Sequence, residues 1–283
     1  MTAKTYRLFA GIPLQNNALY HQIRFGVGDP AALIIASENG GTNRHLIIRD
    51  IEMERARKRA RVDTVASPAD FTPVGGLSGD RETATAQSVA EFLRRAGAKT
   101  VTVDRTLPFY FAHEIREAGI ALEYDADMGV LERRQKDENE IEHLQQAQRD
   151  TEQVVQWMCE IIGRATAAAD GVLQHEGAPL TAERAFSMID IELLRRGYGN
   201  PHGSIVAGGS EGGDCHTTGR GPLRVNEPVI VDIFPINKAT KSVGDCTRVV
   251  VNGTPTDEWR KMHAAVVAAK AAAMSATRAG TTG

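Results

Sequence analysis

Two aspartates stand where a divalent cation could be held. Asp232 and Asp245 lie thirteen positions apart in the stretch PVIVDIFPINKATKSVGDCTRVVV, residues 228–251. The runs that flank them, 228–234 and 246–251, are rich in Val and Ile and read as β-strands joined by a polar connection. Near-continuous apolar strands are usually buried. An ionised carboxylate placed there costs several kcal/mol unless a cation or strong hydrogen bonds compensate. Facing strands would also set the two charges against each other, and a bound metal ion relieves both penalties. The alternative is that Asp232 caps a turn and Asp245 opens a strand at the surface. Charge pattern alone leaves these two readings level.

The rest of the chain must supply elements that hold such a pair. At 283 residues with 42% hydrophobic content, it can build two domains or one large one. Short apolar runs alternate with helical patterns over the first 125 or so residues. Segments 31–36 and 45–49 read as strands around the turn SENGG, and 50–60 reads as a charged helix. Residues 83–96 form an amphipathic helix ending at Gly97, 100–103 a strand, 108–118 a helix and 120–124 a strand. Strand–helix alternation of this kind predicts a small α/β domain.

A long helix is expected over 132–163, with Ile141, Leu144, Val154, Met158 and Ile161 on one face. Another runs from Thr181 as N-cap to Gly197 as C-cap. The Gly-rich stretch 199–228 has no GK[ST] and no following helix, so it reads as a loop needing positive φ rather than a phosphate cradle. It contains His216. After Val251, Thr254 offers an N-cap, Pro255 an N1 proline and Asp257 an acidic N3 for a last helix with an Ala-rich face.

A net charge of −3 leaves no electrostatic footprint for nucleic acid, and the basic run 55–61 reads as a solvated helix face. Cys159, Cys215 and Cys246 form no CxxC pair. With no signal-peptide core and no apolar span for a membrane, a cytoplasmic location is expected.

V-D-I-F-P at 231–235 followed by G-D-C-T-R at 244–248 resembles the metal-binding hairpin of the pita-bread metallopeptidases, the family of Xaa-Pro aminopeptidases, prolidases, methionine aminopeptidases and creatinases. Arg133, Lys136, Glu140 and Ile141 are similar to the start of the helix that opens that family's catalytic domain. The resemblance implies an α/β (α+β) chain: a creatinase-like N-terminal domain, 1–128, then the first half of a pita-bread domain, 129–283. It makes Asp232 and Asp245 metal ligands. His216, sixteen residues before Asp232, becomes the histidine that faces the substrate without binding metal. His202 lies too far back for that role.

The resemblance further implies hydrolysis of the bond before a proline in second position of a small peptide. The enzyme would be of aminopeptidase or dipeptidase type, with two divalent ions (Mn, Co or Zn) and their bound hydroxide, in a full-length homodimer. The family site uses five ligands, the later ones a histidine and two glutamates. Beyond Asp245 only His263, Asp257 and Glu258 offer side chains of those kinds, and all lie in the last helix. The 283 residues are therefore expected to be the N-terminal portion of the enzyme, with 129–283 loose and apolar surface uncovered. Two other readings are an inactive pita-bread binding module and a metal-free, creatinase-like amidinohydrolase. Aspartates at both ligand positions favour the peptidase.

Overall fold

The computed structural model describes residues 4–282. The chain divides into two compact units, Met1–Lys136 and Asp137–Gly283.

In the first unit a six-stranded mixed sheet is ordered β4-β3-β2-β1-β5-β6. Its strands are β1 (Thr5–Gly11), β2 (Ala31–Glu38), β3 (Gly41–Ile48), β4 (Thr64–Ala66), β5 (Thr100–Val103) and β6 (Ala121–Tyr124). Its helices are α1 (Asn17–Ile23), α2 (Met53–Arg59), α3 (Arg81–Arg95), α4 (Phe109–Glu117) and the single turn α5 (Leu131–Arg134). Both faces are covered. Leu8, Ala32 and Ile34 pack with Val89, Leu93 and Phe111, whereas Phe9, Leu33 and Ile35 pack with Leu19, Ile23 and Ala56. Side chains alternate across a strand, so burial on both sides makes AALIIA a continuous apolar run. β1 was not expected from sequence, yet it lies inside the sheet, antiparallel to β2 and parallel to β5.

The second unit contains α6 (Glu138–Arg164), the small meander β7 (Thr166–Ala167), β8 (Leu173–His175) and β9 (Ala178–Pro179), then α7 (Ala182–Arg195). β10 (Tyr198–Gly199), β11 (Ser204–Gly208), β12 (Pro228–Ile233), β13 (Ile236–Asn237), β14 (Cys246–Val251) and α8 (Asp257–Ala276) follow. The central sheet is β11-β12-β14, antiparallel throughout. Val154, Val155, Met158 and Ile162 of α6 and Ile189 and Leu193 of α7 share one core with Val229, Val231 and Ile233.

Three expectations change. The Gly-rich stretch 199–228, read as a loop, contains β11, because Ser204–Gly208 find ladder partners in residues 229–233 of β12. The helix over 132–163 is broken: Asp137 caps α6 and forms a capping box with Glu140, so Arg133 and Lys136 fall outside it. The N-cap of α8 is Thr256, whose side chain accepts from Trp259 N, because Thr254 is held in the preceding connection by its N–H to Asn226 Oδ1 at 2.8 Å. No residue of α8 is buried, and Met262, Val266, Val267 and Met274 are all exposed. Its Ala-rich face does not pack on the sheet.

Candidate metal centre

Alternation along β12 decides where Asp232 points. Val229, Val231 and Ile233 turn to the core, while Ile230 and Asp232 turn to the other face. That face is open, since Thr247 and Val249 across the ladder are exposed. Asp232 is half-buried and Asp245 exposed, so neither carboxylate occupies the dry interior that the apolar runs suggested. The expectation failed because a three-stranded sheet with helices on one face buries only every second residue.

Thr247 is the cross-strand partner of Asp232, and its hydroxyl donates to Asp232 Oδ1 at 2.7 Å. One oxygen is thereby oriented and Oδ2 is left for a further partner. Asp245 stands immediately before β14. Continuing the register that sets Asp232 opposite Thr247, it lies on the same face as Asp232 and diagonally across from it. Such neighbours have Cβ atoms roughly 7 Å apart, within reach of carboxylates that share ions.

The Asp245 backbone is tied to α6. Its N–H donates to Gln148 Oε1 at 3.1 Å, and its carbonyl accepts from Gln148 Nε2 at 3.0 Å. One residue earlier, buried Gly244 lies against the helix so closely that a Cβ would come within 2.6 Å of the Ala147 carbonyl. Its N–H donates to Pro235 O at 3.2 Å, which closes the base of the hairpin. Cys246, next in line, points into the core. Burial pushes its thiol up, and the charges of Glu152, Asp232 and Asp245 push the same way against Arg248. Its side chain is buried in the core cluster of the second unit and acts as packing.

His216 is exposed in the loop after the turn 209–213, its N–H bonded to Asp214 Oδ1 at 3.0 Å. Among the described residues no hydrogen bond links it to Asp232 or Asp245. His263, Asp257 and Glu258 are all exposed on α8. Carboxylate oxygens on one face suit a hard divalent cation, and Asp232 and Asp245 fit as two of its ligands. Among the described residues no group of three or more His, Cys, Asp or Glu comes together to complete the shell. Gln148 carried no sequence signal, since it sits 97 residues from Asp245 and looks like any polar position flanking a helix's apolar stripe.

The model of metallopeptidase family M24 matches residues 142–283, half of the chain, and the chain belongs to that family. No curated protein sequence matches it. Among solved structures it is similar to a prolidase from Pyrococcus horikoshii OT3, with a TM-score of 0.70 at 18% identity over 95% of this chain and 67% of that one. An X-Pro aminopeptidase from Thermotoga maritima MSB8 gives 0.68 at 20% identity over 93% and 67%. A prolidase from Pyrococcus furiosus gives 0.66 at 16% identity over 90% and 64%. The chain thus has the pita-bread metallopeptidase fold and spans about two thirds of the length of these relatives.

Proposed function

We propose that this chain carries the first part of the active site of an Xaa-Pro peptidase. Asp232 and Asp245 hold divalent ions there, and residues outside the 283 complete the ligand shell. The observation that supports this is the β12–β14 register, which sets Asp232 opposite Thr247 and, continued by one residue, Asp245 diagonally across from it, in a chain of family M24. The prolidase and X-Pro aminopeptidase folds support the substrate class, a small peptide with proline in second position. The N-terminal unit is read as the creatinase-like domain and the C-terminal unit as the first half of the catalytic one.

Bound divalent ions supply Lewis acidity and make a water acidic enough to attack at neutral pH. The chain's own residues do the positioning. Thr247 fixes one oxygen of Asp232, so that its second oxygen is presented to the open face. Asp245, at the hairpin base, would supply a second carboxylate to the same divalent ions. His216, exposed on its loop, meets the substrate near the scissile bond. With only two of these acidic ligands, the 283-residue chain alone hydrolyses nothing appreciable.

The test supplies the missing portion. The C-terminal segment of a prolidase is fused after Gly283, and the fusion is loaded with Mn²⁺ and offered Xaa-Pro and Xaa-Ala dipeptides. Metal-dependent cleavage of Xaa-Pro, lost in Asp245→Asn with the circular dichroism spectrum retained, is expected. A folded fusion that takes up Mn²⁺ and leaves Xaa-Pro peptides intact would overturn the substrate class.

A further inference from the structure

Asp245 lies one residue outside the β12–β14 ladder, whose pairing begins at Ile233 and Cys246. A backbone at that position would normally have its N–H and C=O in water and its φ and ψ free to vary. Here both groups are taken by one side chain. Gln148 Oε1 accepts from Asp245 N, and Gln148 Nε2 donates to Asp245 O. The N–H belongs to the peptide plane before Cα and the carbonyl to the plane after it. Binding both planes fixes both torsions at Asp245, and with them the direction of its Cα–Cβ bond.

Gln148 is itself held. The other proton of its Nε2 is donated to Glu152 Oε1 at 2.9 Å, one turn along the same helix. Both donors and the acceptor of the amide are thus used, which fixes its rotamer and which end is oxygen. The anchor is rigid, because α6 is a 27-residue helix whose neighbouring residue Ala147 is buried against Gly244. Neither an acidic nor an apolar side chain does the same. Glu would face the Asp245 carbonyl and Glu152 with a second negative oxygen, and an apolar residue would leave both peptide groups without their partner.

We infer that Gln148 is a positioning residue of the metal centre, a side-chain amide that stands in for a β-strand partner and aims the Asp245 carboxylate. The inference rests on reading Asp245 as a metal ligand. Ligand atoms must sit within a few tenths of an ångström of their coordination positions, and partners that orient ligands are typically worth 10–100-fold in metal affinity.

The test measures Mn²⁺ bound to the 283-residue chain by electron paramagnetic resonance, with four proteins compared. Gln148→Met keeps length and helix propensity but removes both bonds, and it is expected to weaken Mn²⁺ binding at least 10-fold. Gln153→Met removes a bond of similar kind from the same helix, Arg196 Nη1 to Gln153 Oε1 at 2.6 Å. It should bind Mn²⁺ as wild type does, which separates aim from stability. Asp245→Asn should lose the binding. If Gln148→Met binds within twofold of wild type while Asp245→Asn does not, the positioning role is wrong and the ligand assignment stands. If Asp245→Asn also binds as wild type, the ligand assignment fails first; if the wild-type chain alone binds no Mn²⁺, the same four proteins are compared in the fusion that completes the ligand shell. Should Gln148→Met not fold, amide exchange in the wild-type chain decides. Asp245 N–H is expected to exchange at least 10-fold more slowly than a free peptide, and exchange at the free rate would overturn the clamp.

Discussion

Gly244 has no room for a side chain. Its buried backbone rests on the Ala147 carbonyl, and this close approach sets the depth at which Asp245 leaves the hairpin. Gly244→Ala must push the hairpin off α6, an overpacking penalty of about 2–3 kcal/mol. Urea denaturation of the C-terminal unit should show that loss, and a variant melting like wild type would mean that the hairpin base yields. At this scale the hairpin was legible: the two runs flanking Asp232 and Asp245 are the paired strands β12 and β14. Their surroundings were not. The reading of buried carboxylates took the Val/Ile runs as covered on both sides, whereas β12 alternates and β14 is largely exposed. Gln148 was out of reach, because its partner lies 97 residues away and only the tertiary fold brings them together.

Helix α3 shows how one element is tied to its neighbours. Glu91, buried near its C-terminal end, accepts hydrogen bonds from Arg94 Nε at 2.7 Å and Nη2 at 2.8 Å and from Arg95 Nε at 2.7 Å. Arg95 also donates to the carbonyls of Asp70 and Thr72, pinning the turn 68–71 to the helix. Hydrogen bonds from Arg94, then Arg95, hold the Glu91 carboxyl down at about 2 against an ordinary 4.5. A depressed carboxylate stabilises the fold above its unfolded-state value, and that stability is lost as the pH falls through the folded value. Glu91→Gln is therefore expected to melt below wild type at pH 7, with the gap closing as the pH falls from about 4.5 to about 2. A gap that stays constant over that range would show that the carboxylate's charge is not what matters.

Elements with strong local signals were read well: the strand 100–103 matches β5, and the Thr181-capped helix matches α7, although its C-cap is Arg196 and Gly197, at φ +85°, lies one residue beyond. β1 was missed because TYRLFAG places an arginine in a short run with no turn signal before it. The break before α6 was missed because charge continues across it, and only the reciprocal Asp137–Glu140 bonds mark the boundary.

At the scale of the whole molecule, each unit has a core of its own. Both clusters of the first unit are built from residues up to Met128, and that of the second from Ala147 to Cys246. Residues 1–136 expressed alone should accordingly fold cooperatively, with dispersed amide resonances and a single thermal transition. A chain of that length that stays unfolded would show that its core draws on the second unit. The α/β class of the molecule was legible because alternating strand and helix patterns survive without side-chain detail. Its division between Lys136 and Asp137 falls in charged sequence with no compositional break.

The central claim is that Asp232 and Asp245 are metal ligands, and a Mn²⁺ titration of the chain beside Asp232→Asn and Asp245→Asn tests it most directly. Each substitution keeps the shape of the side chain and removes its charge. The account predicts saturable binding to the wild-type chain and at least a 10-fold loss in each variant, with both still folded. Binding that survives both substitutions, in the chain or in its fusion to the C-terminal segment of a prolidase, would contradict it.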